Sequence, residues 1–438
     1  MILDAPKFRI SSRAVDVLKS PQEFYSQLKA SILGAKHRVF LATLYIGSKE
    51  NELVQTLHQS LSQNKALQVH ILTDGLRGTR EAPREQSSAS LIAPLIEEFP
   101  ERVSLSMYKT PAYKGLAKLV PKRFNEGCGL QHMKLYGIDD EIVLSGANLS
   151  SDYFTNRQDR YIRIRDANVT EYFWNVFQGV ADISYLVKPI SNRGKFDNFS
   201  LVWPHNDKVT LMDRAKQLKL LLSKDQTACD THSDADTFIY PVLQMTPLGF
   251  GNEQRVLEQI LHTNSPCTVT AGYFNIARPL QKTLLARKAE GTVIVASPEA
   301  NGFYQSKGIS SQVPALYYLL AEKFQTLVQS MHSPIRVLEW KRGVVNQPNG
   351  WSYHAKGVWL KNEQNLPYLT VIGSSNYTER AYTHDLEAGA VIYTKNEQLQ
   401  QELQSELDSL QTHTVPMATR PSPGIIHRMF IKIFRDRL

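Results

Sequence analysis

Gln131-His132-Met133-Lys134-Leu135 and Tyr353-His354-Ala355-Lys356-Gly357 each set a His and a Lys two residues apart. Each pentad leads on to a small-residue turn that ends in Asn: Ser145-Gly146-Ala147-Asn148 in the first case, Gly373-Ser374-Ser375-Asn376 in the second. On a strand, residues i and i+2 share a face. His132 and Lys134 therefore point one way, and Met133 and Leu135 toward the packed side. Two copies in one chain predict a duplicated fold. If its halves are related by a pseudo-twofold axis, two His and two Lys converge at the seam as one active site.

Reading outward from the motifs, the flanking elements repeat as well. Apolar runs at 38–45 and 268–274 read as strands, and helical patterns follow at 52–62 and 280–288. Strands at 67–72 and 292–296 come next, then helices at 89–99 and 313–324, then strands at 103–108 and 335–340. Each half closes on a strand and a helix, at 161–165 with 169–186 and at 388–393 with 396–412. Such alternation predicts α/β/α halves with mixed, largely parallel sheets. The polar stretch 188–238 joins them, with a helix at 211–222. The division falls near residue 205, giving an N-terminal half 1–205 and a C-terminal half 206–438.

The residue types suit phosphoryl-group transfer through a covalent histidine. One imidazole attacks phosphorus; the other protonates the leaving oxygen and later deprotonates the acceptor. Lys134, Lys356 and the turn residues Ser145, Asn148, Ser374 and Asn376 are the candidates for holding phosphate oxygens. Asp159 and Glu387 lie eleven residues after Asn148 and Asn376. Each is placed to accept the Nδ1 proton of a His and fix its tautomer, with Asp385 a competitor. A single H-x-K is usually a surface strand; two copies with matching turns, carboxylates and upstream strands are not.

Composition bounds the reading loosely. With 438 residues, 42% hydrophobic and 21% charged, the chain can bury one or two sizeable cores. No apolar run reaches the roughly 18 residues of a membrane span. The net charge of +8 favours an anionic partner. Cys128, Cys229 and Cys267 are too scattered for a disulfide framework or a zinc cluster, and no metal or cofactor is expected. The first residues, with Arg9 and Arg13 among Asp4 and Asp16, do not read as a signal or transit peptide.

His132-x-Lys134-x4-Asp139 is the full motif of the phospholipase D superfamily, which this chain resembles over roughly residues 35–410. The run from Gln131 through Ser145-Gly146-Ala147-Asn148-Leu149-Ser150 to Tyr153-Phe154-Thr155-Asn156-Arg157-Gln158-Asp159-Arg160-Tyr161 is similar to that of the eukaryotic, mitochondrial phosphatidylglycerophosphate synthases. The resemblance implies two phospholipase D-like halves and a metal-free transfer. A histidine displaces CMP from CDP-diacylglycerol, and the sn-1 hydroxyl of glycerol 3-phosphate then takes the phosphatidyl group. It implies His132 as nucleophile and His354 as general acid then base, with Lys134, Lys356 and Asp139 completing the set; near-symmetry leaves the exchanged roles open. It also implies a peripheral place on the matrix face of the mitochondrial inner membrane. The second motif departs from the pattern. Lys361 stands where Asp139 does, and the His-to-Asn gap is 22 residues against 16, which predicts an extra hairpin around 361–365.

A lipid substrate requires contact with a bilayer. The basic, apolar stretches 108–124 and 424–438 are the candidates for an anionic membrane surface. Asp74-Gly75-Leu76-Arg77-Gly78-Thr79-Arg80 reads as a strand-to-helix loop, with Arg77 or Arg80 facing substrate. A phosphatidylserine synthase or a phosphodiesterase or nuclease of the same superfamily are the alternatives. No interleaved basic and aromatic groove points to nucleic acid.

Overall fold

The computed structural model describes residues 3–113, 125–191, 194–205, 211–223, 235–418, 420 and 435. Within them, one strand order occurs twice. The first sheet runs Val15–Leu18, Tyr161–Arg165, Glu141–Ser145, Leu135–Ile138, Arg38–Ala42, Gln68–Asp74, Val103–Tyr108. The second runs Thr237–Met245, Glu387–Thr394, Pro367–Gly373, Lys356–Lys361, Cys267–Ala271, Gly291–Ala296, Ile335–Trp340. The last three strands of each order are parallel and the others antiparallel, so both sheets are mixed.

Strands such as Arg38–Ala42 and Cys267–Ala271 are buried almost throughout. That is why they read as continuous apolar runs rather than alternating ones. Helix Asn51–Gln63 lays Leu53, Leu57 and Leu61 on the first sheet, one residue per turn along one face. Asp166 and Asn396 accept backbone N–H groups at the starts of Ala167–Asp182 and Glu397–Gln411, satisfying donors that a helix leaves unpaired. No helix among the described residues is long and apolar enough to cross a membrane.

The sheets do not divide where the sequence suggested. Phe8–Ile10, the first strand of the chain, pairs with Thr237–Met245 in the second sheet and covers an otherwise open edge. Helix Leu211–Ser223 lies beyond residue 205, yet it packs on Ala167–Asp182 of the first half. One core cluster draws on both sheets, with Leu135, Leu144 and Ile162 of the first beside Phe8, Ile239 and Ile392 of the second. The chain therefore changes sheet twice near the proposed units, because burial decides the partner and sequence order does not.

The two motif hairpins differ in length, and the added residues lengthen the second one instead of forming an extra hairpin. Leu135–Ile138 turns tightly into Glu141–Ser145 through Asp139, whose φ is 48°. Lys356–Lys361 and Pro367–Gly373 form a longer hairpin, with a register shift at Leu360/Lys361 and Asn365 at φ 61° in the turn.

The halves are joined by reciprocal backbone pairing at the seam. Gln131 bridges Leu386, and the His132 N–H donates to the Leu386 carbonyl at 2.9 Å. In the opposite direction Tyr353 pairs with Gln158, and the His354 N–H donates to the Gln158 carbonyl at 2.8 Å. Each motif histidine is thus held against the residue that precedes the other half's carboxylate. Arg160 locks the seam further. Its Nε and Nη2 donate to Glu406 at 2.8 Å each, Nη1 donates to the Val371 carbonyl at 2.7 Å, and the guanidinium lies over Trp359. Gly357 makes this possible, since a Cβ there would collide with Nη1 of Arg160.

Candidate active site

The seam brings His132, Lys134, His354 and Lys356 into one buried cluster. His132 Nδ1 is 2.9 Å from Glu387 Oε1, and His354 Nδ1 is 2.6 Å from Asp159 Oδ2. The carboxylates are crossed: each half supplies the one that orients the other half's imidazole. The Ser374 hydroxyl donates to Glu387, and the Arg160 backbone N–H donates to Asp159 at 2.9 Å. With Nδ1–H held by a carboxylate, Nε2 of each ring is the atom available to chemistry. Nε2 of His354 lies 3.3 Å from the Tyr153 hydroxyl.

Both lysines bend back onto the motif backbone. Lys134 Nζ donates to the His132 carbonyl at 2.6 Å, and Lys356 Nζ to the His354 carbonyl at 2.9 Å. Burial pushes Lys134 down to about 7 and Lys356 down to about 8, against the pull of Glu387 and Asp159. Burial, then the neighbouring lysines, hold both imidazoles well below their ordinary range, so each is neutral; Nε2 of His354 faces the Tyr153 hydroxyl and Lys356 Nζ, each at 3.3 Å. Burial raises the Glu387 carboxyl to about 7 and raises Asp159 too, with the lysines opposing.

The remaining candidates fall elsewhere. Asp139 lies at the far end of its strand and accepts backbone N–H groups of Lys36, His37 and Arg38 at 2.7, 2.8 and 3.0 Å. It ties a loop to the sheet and lies outside the cluster. Ser145 and Ser374 are fully buried. Ser145 donates to the Arg160 carbonyl at 2.6 Å, while Ser374 holds Glu387; both hydroxyls are used inward, to fix the carboxylate segments. Asp159 and Glu387 are each in contact with a motif histidine. Asn148 donates from Nδ2 to the Tyr153 hydroxyl at 3.0 Å and so positions that phenol. Asn376 keeps its Oδ1 without a hydrogen-bond partner among the described residues. Asp385 pairs with Arg380 at 3.2 Å and accepts the Leu130 N–H, which leaves His132 to Glu387.

Asp74 anchors the first motif by accepting the Gln131 N–H at 3.0 Å. Arg77 of the same loop pairs with Glu81 and stacks on Tyr45. Of the two candidate membrane segments, 114–124 and all of 424–438 except Arg435 lie outside the described residues; Arg435 bonds Asn275 and Gln281. Cys128 and Cys267 are free thiols. No three His, Cys, Asp or Glu side chains among the described residues come together to hold a metal ion. Sequence reasoning missed Tyr153, Tyr273 and Arg157 as parts of the site. Tyr153 and Tyr273 meet His354 edge-on at 5.1 and 5.4 Å, and Arg157 lies over Tyr153 at 4.4 Å. Tyr153 and Arg157 belong to the run that carried the resemblance, which was the available signal.

Twinned sheets meeting at crossed histidine–carboxylate pairs define a phospholipase D-like protein. The sequence profile described as "Cardiolipin synthase, PLD-like domain" matches residues 28–181 and 256–411, one match per half. A phosphatidylserine synthase from Haemophilus influenzae Rd KW20 has the same fold, with a TM-score of 0.73 at 20% identity over 98% of this chain and 94% of that one. More specifically, the chain is 45% identical to the CDP-diacylglycerol--glycerol-3-phosphate 3-phosphatidyltransferase of Saccharomyces cerevisiae, over 94% of this chain and 84% of that protein. It is 38% identical to the Schizosaccharomyces pombe protein of that name, over 94% and 92%, and 36% identical to the human mitochondrial one, over 98% and 83%. The chain belongs to the CDP-diacylglycerol–glycerol-3-phosphate 3-phosphatidyltransferase family.

Proposed function

We infer that this chain is a phosphatidyltransferase that converts CDP-diacylglycerol and glycerol 3-phosphate to phosphatidylglycerophosphate and CMP, the first step toward phosphatidylglycerol and cardiolipin. His132 Nε2 attacks the phosphatidyl phosphorus. A P–N bond forms, the P–O bond to CMP breaks, and CMP departs with the bonding pair. Its phosphate has a second pKa near about 6, so departure demands little proton donation. The sn-1 hydroxyl of glycerol 3-phosphate then attacks phosphorus and gives its proton to Nε2 of His354. The P–N bond breaks and His132 is restored. Lys134 and Lys356 neutralise the phosphoryl oxygens as charge builds on them. The observation that carries this reading is the crossed pairing of each imidazole with a buried carboxylate at one seam.

His132 as nucleophile rests on three features. Its side chain is the more open of the two imidazoles, 11% exposed against 5%. No described residue hydrogen-bonds its Nε2, whereas His354 Nε2 has the Tyr153 hydroxyl. A proton shuttle benefits from that contact, and a nucleophile does not. The mitochondrial names of the vertebrate relatives support a peripheral place on a mitochondrial membrane, and we assign the chain to the matrix face of the inner one.

The test supplies purified protein with CDP-diacylglycerol vesicles and, in turn, glycerol 3-phosphate, serine, water or DNA, all with chelator. CMP release dependent on glycerol 3-phosphate is the expected result. Turnover confined to serine or DNA, or activity abolished by chelator, overturns the reading.

A further inference from the structure

The ion pairs beside the two histidines have opposite polarity. Counting from Asn148 and Asn376, Asp152 corresponds to Arg380 and Arg157 to Asp385. Both pairs form: Arg157 Nη1 to Asp152 Oδ2 at 3.0 Å, and Arg380 Nε to Asp385 Oδ2 at 3.2 Å. The position carrying the cation in one half carries the anion in the other. Arg157 pairs through its backbone with Ser352, two residues before His354. Asp385 immediately precedes Leu386, which holds the His132 N–H. So the inner charge is positive at His354 and negative at His132. Accordingly Arg157 lowers the proton affinity of His354, and Asp385 raises that of His132.

Arg157 is built in rather than free. Its Nε donates to the Ser352 hydroxyl at 3.0 Å, its plane lies over Tyr153, and its side chain is 12% exposed. No described residue hydrogen-bonds Nη2. That end lies over Gly302, where a Cβ would collide with it and would also meet the Tyr273 hydroxyl. Asp152 is 43% exposed, so water screens its hold on the guanidinium. A buried cation with one open donor edge, beside an imidazole, suits a phosphomonoester.

We propose that Arg157 binds the phosphate of the acceptor alcohol and makes the site select a phosphorylated acceptor over an uncharged one. This rests on the reading of His354 as the proton shuttle. The hydroxyl that surrenders its proton to His354 then lies on the Arg157 side of the seam, and its own phosphate follows. Across the pseudo-twofold, Asp385 repels an anion, so the acceptor has one productive orientation.

The experiment measures CMP release by the full chain with glycerol 3-phosphate and with glycerol, and compares the protein with Arg157→Gln, Arg157→Lys and Gly302→Ala. Arg157→Gln should raise KM for glycerol 3-phosphate about 10- to 100-fold, the worth of one charge-assisted contact. The KM for CDP-diacylglycerol should stay within a small factor. The preference for glycerol 3-phosphate over glycerol should fall with the acceptor KM, and Lys should restore part of it. An unchanged preference, or equal loss with both acceptors, overturns the proposal, and so does a rise confined to CDP-diacylglycerol, since the phosphate contacted is then the leaving CMP. If Arg157→Gln does not fold, Gly302→Ala decides. Its Cβ meets Nη2 most closely, ahead of the Tyr273 hydroxyl, and should shift the preference the same way, and no shift overturns the proposal. Failure of the unmodified protein to use glycerol 3-phosphate at all sinks the proposed function instead, so the two failures are distinct.

Discussion

Glu387 and Lys356 work in opposite protonation states, and burial has moved both toward neutrality. Glu387 must be ionised to accept the Nδ1 proton of His132, and its carboxyl lies at about 7. The active form is therefore gained as pH rises through that value. Lys356 must be charged to hold a phosphoryl oxygen, and it lies at about 8, so its active form is lost as pH rises through that value. Lys134, at about 7, is recharged when an anionic diester arrives beside it, since an opposite charge favours the protonated form. The kcat/KM for CDP-diacylglycerol should then be bell-shaped across neutral pH, rising toward about 7 and falling above it as first Lys134 and then Lys356 lose their charge in the free protein. The descending limb of kcat should sit at higher pH than that of kcat/KM. Glu387→Gln should lose the acidic limb together with most of the rate. A flat profile through neutrality, or an acidic limb that survives in Glu387→Gln, would count against the assignment.

The motif hairpins separate chemistry from scaffolding. Asp139 stands in the turn of the first hairpin and gathers three backbone N–H groups, while the longer second hairpin does without it. Asp139→Ala should therefore cost stability, about 1–3 kcal/mol for charge-assisted hydrogen bonds lost at a partly buried site, and leave kcat nearly intact below the melting range. Denaturant titration and initial rates on the same preparation check this; a collapse of kcat at unchanged stability would return Asp139 to the chemistry. Elements of this kind were readable along the chain, because a sheet covered on both faces demands unbroken apolar strands and each covering helix a 3.6-residue stripe. The strand Phe8–Ile10 was not. Three alternating residues say nothing about which sheet edge receives them, and the edge that does lies more than 220 residues away. Arg157 and Arg160 make the same point within four residues of one run. One lines the site and the other is buried in the opposite half, because Glu406 and the Val371 carbonyl wait there. Residue type alone cannot tell them apart.

At the scale of the whole molecule, the crossed carboxylates make the two halves one catalytic unit. Spacing from Asn148 and Asn376 found a carboxylate for each half, but distance along the chain carries no information about partners across a seam. The crossing means that each carboxylate governs the chemistry of the half it does not belong to. Glu387, in the second half, orients His132 and should control attack on CDP-diacylglycerol. Asp159, in the first half, orients His354 and should control resolution of the intermediate by the acceptor. The isosteric variants then fail at different steps. Asp159→Asn retains a competent His132 and a leaving group that departs without much help. It should release one burst of CMP and accumulate a phosphatidyl group on the chain, with slow discharge to glycerol 3-phosphate. Glu387→Gln leaves His132 without its acceptor for Nδ1–H, so it should give neither burst nor adduct. Rapid quench of labelled CDP-diacylglycerol, followed by mass spectrometry of the peptide containing His132, distinguishes the two. Adduct in Glu387→Gln and none in Asp159→Asn would exchange the roles of the histidines. Equal behaviour of both variants would mean that the pairs act on structure alone, because only chemistry divided across the seam makes two symmetry-related carboxylates fail at different steps.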